Sequence, residues 1–240
     1  MRLIQITDCH LHAEPDARSR TGYPLRQLQR VIEQARTFDP DIVLVTGDVS
    51  QDQTLDSYRH ASALFSSFGC PWFWFSGNHD DPVLMNEMHP LQDEIDLGAW
   101  RLLLLDSRVE GRPHGELGNQ QLETLATRLK EDERPVLLAL HHPPVTIGSD
   151  WMDAIGLKDR DALWQVLTPC PQVNAILCGH IHQSFEQWLD NVLVYGCPAT
   201  SDQFLPDSAD FAVDDDALPG FRVIDLEVSR LTTWIERVEL

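Results

Sequence analysis

Short apolar runs alternate with amphipathic stretches along the first 180 residues or so of the chain. Residues 2–7 alternate apolar and polar side chains, which predicts a strand. Leu25, Leu28, Val31, Ile32 and Ala35 then recur at helical spacing and predict an amphipathic helix over residues 23–37. Asp39-Pro40-Asp41 breaks that helix, and residues 42–46 read as a buried strand. Residues 57–68 return to helix, and Cys70-Pro71 introduces an aromatic strand at 72–75. The order β-α-β-α-β argues for parallel strands joined by helical crossovers.

The alternation continues with a strand at 100–105, a helix at 118–130 and a strand at 136–140. A helix at 159–167 and a strand at 175–178 follow. Beyond that point the character changes. Residues 185–189, 192–195, 221–226 and 231–238 read as strands with no helix between them. They predict a second, largely antiparallel sheet packed on the first, with helices outside. The acidic stretch 207–216 reads as a mobile surface loop. A chain of 240 residues can bury one substantial core, so a single domain over residues 1–240 is expected.

Charge narrows the partners. With 18 basic and 38 acidic side chains the formal net charge is −20. Such a surface repels nucleic-acid backbones and anionic membranes, so neither is an expected partner. A small anionic substrate still fits if bound cations invert the local potential. The apolar runs 71–75 and 136–140 are far too short to span a bilayer. The chain enters a strand at once, without the apolar core of a signal peptide, so a cytoplasmic protein is expected, as a monomer or homodimer. Cys9, Cys70, Cys170, Cys178 and Cys197 are scattered, odd in number and never spaced Cys-x-x-Cys. Reduced thiols follow, and neither a disulfide framework nor a thiolate metal site.

Five polar clusters each follow an apolar run: Asp8-Cys9-His10, Gly47-Asp48, Gly77-Asn78-His79-Asp80, His141-His142 and Gly179-His180-Ile181-His182. On an extended segment, Asp8 and His10 leave the same face, and a carboxylate and an imidazole so placed can share a metal. Asp48 at a strand end can bridge two cations. Asn78 can offer an amide oxygen, though the same four residues also suit a turn capping a helix at Asp80 and Asp81. Pro143-Pro144 stops a strand and fixes the loop carrying the doubled histidine, whose two members are both candidate ligands. Ligands of open parallel sheets gather beyond the carboxyl ends of the strands, where all five clusters lie. His12, His60, His89 and His114 lack such a context and read as surface or packing residues.

This ordered series resembles the calcineurin-type metallophosphoesterases, whose motifs run D-x-H, G-D, G-N-H-D/E, H and G-H-x-H. The resemblance spans Asp8 to His182 and implies an α/β fold, a four-layer αββα sandwich with a dinuclear site between the sheets. It implies that Asp8, His10, Asp48 and His182 hold one metal. Asp48, Asn78, His141 and His180 would hold the other, with Asp48 bridging and His141 a better match than His142. Two divalent ions are implied, Fe2+ or Mn2+ by the family, with Zn2+ or Co2+ suiting the same donors.

Finer features narrow the likeness. Ile4-Gln5-Ile6-Thr7-Asp8, Leu104-Leu105-Asp106-Ser107, His114-Gly115-Glu116-Leu117 and Leu177-Cys178-Gly179-His180-Ile181-His182-Gln183 resemble the class III cyclic nucleotide phosphodiesterases of bacteria. The segment Pro198-Ala199-Thr200-Ser201-Asp202-Gln203-Phe204 is similar to their substrate-proximal loop. That likeness implies hydrolysis of 3′,5′-cyclic AMP, with His79 as the acid for the leaving group. His10, Asp48, Asn78, His79 and His182 would lie against the cyclic nucleotide. A broader phosphodiesterase, a phosphomonoesterase and a non-catalytic scaffold are the alternatives. The lipid A pyrophosphatases of the same superfamily carry Arg where this chain has His79.

Overall fold

The computed structural model describes every residue of the chain except Ser229. The first unit runs β1 (Arg2–Ile6), α1 (Pro24–Arg36), β2 (Ile42–Val45), α2 (Leu55–Ser66), β3 (Trp72–Trp74) and α3 (Pro82–Met88). A second follows as β4 (Glu94–Asp96), β5 (Arg101–Leu105), α4 (Gly118–Glu131), β6 (Val136–Leu140), α5 (Asp150–Asp153), α6 (Arg160–Leu167) and β7 (Val173–Cys178). The chain ends in β8 (Phe185–Leu189), β9 (Val192–Gly196), β10 (Gly220–Leu226) and β11 (Leu231–Arg237). Local chemistry explains several of these boundaries. Pro24 opens α1, where its missing N–H costs nothing, and the Thr54 side chain accepts from Ser57 N to cap α2. Asp81 caps α3 by accepting from Val83 N and Leu84 N.

Two sheets form, in the orders β11-β10-β1-β2-β3 and β4-β5-β6-β7-β9-β8. Alternate side chains of each strand enter different apolar layers. Ile4, Ile6, Val43 and Val45 pack outward with Leu28, Val31, Tyr58 and Phe65 of the helices. Leu3, Leu44, Leu102, Leu104, Leu137, Ala139, Leu177 and Ile224 meet between the sheets. Val136, Leu138, Leu140 and Ile176 pack with Leu122, Leu125, Leu163 and Leu167 on the other side. Three apolar layers separate four layers of structure, the αββα sandwich expected from the sequence.

The strands are divided between the sheets differently from the sequence reading. β10 and β11 do not join β8 and β9 in a separate antiparallel sheet. They extend the first sheet instead, with β10 antiparallel to β1 and β11 antiparallel to β10 at the edge. The second sheet is parallel at its centre, through β5, β6, β7 and β9, and antiparallel only at its edges β4 and β8. Apolar periodicity reports which residues are buried and not which strand pairs with them. The short elements β4, α3 and α5 also escaped the periodicity, having too few residues to show one.

The carboxyl ends of β1, β2, β3, β6 and β7 converge at one edge of the sandwich, and hydrogen bonds cross there between sheets. Gln5 Nε2 donates to Cys178 O at 3.1 Å, and His141 Nδ1 to Thr46 O at 2.8 Å. The inter-sheet layer should therefore carry much of the stability. Leu137→Ala, at a position with 0% exposure, should cost roughly 2–5 kcal/mol in urea denaturation. Trp188→Ala, at a site 63% exposed on edge strand β8, should stay within about 0.5 kcal/mol.

Candidate metal centre

The five clusters meet in one place. His10, Asp48, Asn78, His79, His180 and His182 line a cavity of about 630 Å³, and Asp8 and His141 lie buried at its floor. Three groups of ligand atoms each fall within 4.8 Å of one another: Asp8 with His10 and His182, His10 with Asp48 and His79, and Asp48 with His141 and His180. Asp48 belongs to two of the three.

Strand alternation does not bring Asp8 and His10 together, contrary to the sequence reading. β1 stops at Ile6, and both residues adopt left-handed backbone, with φ of 53° and 48°. Asp8 N and His10 N donate to Gly47 O and Asp48 O at 3.1 and 3.0 Å, which zips the first two loops together. Asp48, His180 and His182 are also left-handed, at 51°, 68° and 51°. Such conformations cost roughly 1–3 kcal/mol each and concentrate at functional sites. Cys9 is fully buried between Asp8 and His10.

The glycines of the clusters make room. Gly47 has φ of +93°, and a Cβ there would meet His141 Nδ1 at 2.6 Å. A Cβ on Gly77 would strike the Asp48 carboxylate.

Hydrogen bonds on the outer side of three imidazoles, those of His10, His141 and His182, fix which nitrogen faces inward. His182 Nδ1 donates to Asp202 O at 2.6 Å and His141 Nδ1 to Thr46 O, both acceptors that cannot donate. His10 Nδ1 lies 2.8 Å from Gln51 Oε1. The Nε2 lone pairs are thereby turned inward, and those of His10 and His182 approach to 3.2 Å. His182 Nε2 is 3.4 Å from Asp8 Oδ1, and His141 Nε2 is 3.3 Å from Asp48 Oδ2. Asn78 Oδ1, His141 Nε2 and His180 Nε2 are buried with no hydrogen-bond partner among the described residues. Buried polar atoms without partners are costly, and these three point to cations as the missing partner. The donors are N and O without thiolate, a set suited to divalent ions of intermediate hardness.

His142 stands apart. Its Nδ1 meets Ser107 Oγ at 2.9 Å and its Nε2 meets Pro113 O at 3.2 Å, so both nitrogens are engaged away from the cluster. His89 stacks on Trp72 and His60 bonds Ala13 O, both packing roles, whereas His12 lines the cavity rim.

Two carboxylates were missed as builders of the site. Asp80 accepts from Val49 N, Ser50 N, Gly77 N and Tyr58 Oη, and so staples the Asp48 loop to the Asn78 loop. Burial and the neighbouring Asp48 push Asp80 up to about 7. Asp202 holds His182 through its carbonyl while its carboxylate accepts from Ser19 Oγ, Thr21 N and Thr21 Oγ1. Their signals lay inside quoted motifs, where Asp80 reads as a helix cap and Asp202 as one residue of a loop.

Charge on the floor is balanced internally. Burial opposes ionisation of Asp8 and Asp48, but His182 and His141 respectively outweigh it and hold both carboxyls below their usual range. Burial likewise drives His10 down to about 4, against the pull of Asp48.

Residues 1–184 match the calcineurin-like phosphoesterase family. The chain belongs to that family. As a calcineurin-like phosphoesterase it has a dinuclear site for divalent metal ions. A relative from Pseudomonas aeruginosa, named 3′,5′-cyclic adenosine monophosphate phosphodiesterase CpdA, is 41% identical over 245 residues, covering 99% of this chain and 90% of that protein. A protein of the same name from Vibrio vulnificus is 38% identical over 248 residues, at 99% and 90% coverage. The solved dimetal phosphatase from Danio rerio superposes with a TM-score of 0.77 over 99% of this chain and 96% of its own, at 16% identity. That likeness is one of fold. Among the described residues, no helix is long and apolar enough to cross a membrane.

Metal binding should be linked to protons at His141. Burial lowers its pKa, but Asp48 and Asp8 prevail and raise it to about 9. A metal needs the neutral imidazole, so near neutral pH a proton must leave as the ion enters. Affinity should rise about tenfold per pH unit up to about pH 9. Calorimetric titration of Mn2+ into the metal-free protein, in buffers of different ionisation enthalpy, should show that release between pH 7 and 8. Titrations with no proton release there would contradict it.

Proposed function

We propose that this calcineurin-like phosphoesterase hydrolyses 3′,5′-cyclic AMP to 5′-AMP. The observation that carries the reading is the full-length likeness to proteins named for that activity, in a chain whose paired ligand clusters line the floor of one cavity. We take Asp8, His10, Asp48 and His182 as the donors to one metal, and Asp48, Asn78, His141 and His180 as the donors to the other. The family favours Fe2+ or Mn2+, while the donor set suits these and Zn2+ or Co2+ alike. We also take residues 1–240 as one catalytic unit. The family match ends at 184, but β10 pairs with β1 beside the site, and Ser201 Oγ donates to Asp8 O at 2.7 Å.

Two bound divalent ions supply positive charge for the phosphoryl oxygens and a water of lowered pKa as nucleophile. The chain's own residues do the rest. Asp48, shared by two clusters, fixes the spacing of the two sites, and its Oδ1 accepts from His79 N at 2.9 Å. Carbonyls of Thr46 and Asp202 hold the Nδ1 side of His141 and His182, so that Nε2 is the nitrogen aimed inward and the one that gives up its proton when an ion binds. The His79 ring stands edge-on to His10, with centroids 5.0 Å apart, at the cavity wall. There it is placed to pass a proton to the departing 3′-oxygen, a role worth roughly 10²–10⁴-fold in rate. We take His10, Asp48, Asn78, His79 and His182, which all line the cavity, as the residues that lie against the substrate.

Asp48→Ala should abolish phosphodiesterase activity and the binding of at least one metal, read by elemental analysis. Full activity in a metal-replete Asp48→Ala protein would sink the mechanism. His79→Ala should keep both metals yet slow turnover by roughly 10²–10⁴-fold. Metal loss in that variant would make His79 a ligand and not the acid. A panel of 3′,5′-cAMP, 3′,5′-cGMP, 2′,3′-cAMP, bis-p-nitrophenyl phosphate and p-nitrophenyl phosphate on the metal-loaded enzyme tests the substrate. Efficient cleavage of another member with none of 3′,5′-cAMP would overturn the substrate while keeping the chemistry.

A further inference from the structure

One wall of the cavity is aromatic. Trp151, Phe204 and Phe211 meet edge to face, with centroids 5.1 to 5.3 Å apart. Phe204 also stacks on His182 at 4.0 Å and 11°, so the wall starts at a metal-ligand candidate and runs outward. At its outer end Phe211 is 47% exposed. The guanidinium of Arg20 lies over that ring, 4.9 Å from its centroid, on a side chain 64% exposed. Both residues line the cavity. The buried indole N–H of Trp151, in the same wall, has no acceptor among the described residues.

These groups stand on anchored loops. Asp202 accepts from Arg20 N at 3.2 Å as well as from Ser19 and Thr21, and its carbonyl holds His182. The segment bearing Phe211 is tied back by Leu205 N to Ala212 O and Asp214 N to Gln203 O, each 2.9 Å. A planar cation and a phenyl ring therefore face each other at the mouth of the cavity. Their distance to the metal floor is set by two ring contacts, through Phe204 to His182.

We propose that Phe211 and Arg20 form a nucleobase clamp, in which the purine of the cyclic nucleotide lies between ring and guanidinium while its phosphate meets the metal floor. Every base has a π-face that stacks on phenyl and guanidinium planes. The Arg20 side chain is exposed, and beyond the ring its guanidinium meets, among the described residues, only the Asp202 carboxylate in the ion pair with Nη1 at 3.6 Å, which opens as the side chain lifts to admit the base. Stacking grows with ring area, so the clamp favours purines over pyrimidines.

The inference rests on the cyclic-nucleotide reading, and one experiment separates the two. Steady-state kinetics of metal-loaded wild type, Phe211→Ala, Arg20→Ala and Arg20→Lys are compared on 3′,5′-cAMP, 3′,5′-cCMP and base-free 1-deoxyribose 3′,5′-cyclic phosphate. Phe211→Ala and Arg20→Ala should each raise KM for cAMP about tenfold with kcat little moved, within the range that stacking one base supplies. The cAMP to base-free ratio of kcat/KM should fall accordingly, and the effect on cCMP should be smaller. Arg20→Lys keeps the charge but not the plane, so it should lose most of the same ratio. If wild type turns over cAMP and neither alanine variant moves the ratio, the clamp is wrong and the substrate reading stands. An equal loss on the base-free substrate also overturns the clamp, because it places both residues with the phosphate. A wild type inactive on cAMP but active on other diesters overturns the substrate reading, and the clamp with it.

Discussion

Between His10 and His182 two imidazole nitrogens confront each other across 3.2 Å, each with its hydrogen committed to the far side of its ring. Lone pairs so directed repel in the absence of a cation. The same tension recurs at Asn78 Oδ1, His141 Nε2 and His180 Nε2, all buried without partners among the described residues. A metal-free protein relieves part of it by protonating His141 against Asp48. Cations relieve all of it, so the pocket is built for ions and holds its donors ready before they arrive.

Holding those donors in place takes more than the donors. Left-handed backbone at Asp8, His10, Asp48, His180 and His182 stores strain that the surroundings must offset. Asp80 and Asp202 do so from outside, each drawing several backbone N–H groups of neighbouring loops onto one carboxylate. Glycine at positions 47 and 77 lets the loops approach until the carboxylate and imidazole nearly touch backbone. The strength of the inter-sheet core then matters to the site, since the loops bearing the proposed donors come from strands of both sheets.

The sequence made the candidate donor residues legible because such donors are few in kind and each cluster follows an apolar run, and the fold brings those clusters together. It also made most helices and strands legible, since α1 and α4 show their apolar faces over many turns. Sheet membership was not legible. β10 presents the same apolar alternation whether it flanks β1 or β8, and only the packed chain decides. Nor was the backbone geometry at Asp8 and His10, where strand alternation and paired left-handed residues both allow i and i+2 to converge. Asp80 and Asp202 escaped for a related reason: a carboxylate that organises backbone N–H groups has no sequence periodicity of its own.

The acidic surface and an anionic substrate are reconciled by the composition of the donor set. Only Asp8 and Asp48 among the proposed donors carry charge, and the rest are neutral imidazoles and an amide. Two divalent ions bring four positive charges and these donors return two negative ones, so the floor keeps a positive excess. Arg18 and Arg20 extend it to the rim. The −20 of the whole chain is spread over the surface and screened beyond about 10 Å at ordinary ionic strength, whereas the floor acts at contact. A site richer in carboxylates would bind the cations more tightly but spend their charge. Using imidazole and amide where a carboxylate would serve leaves that charge for the phosphate.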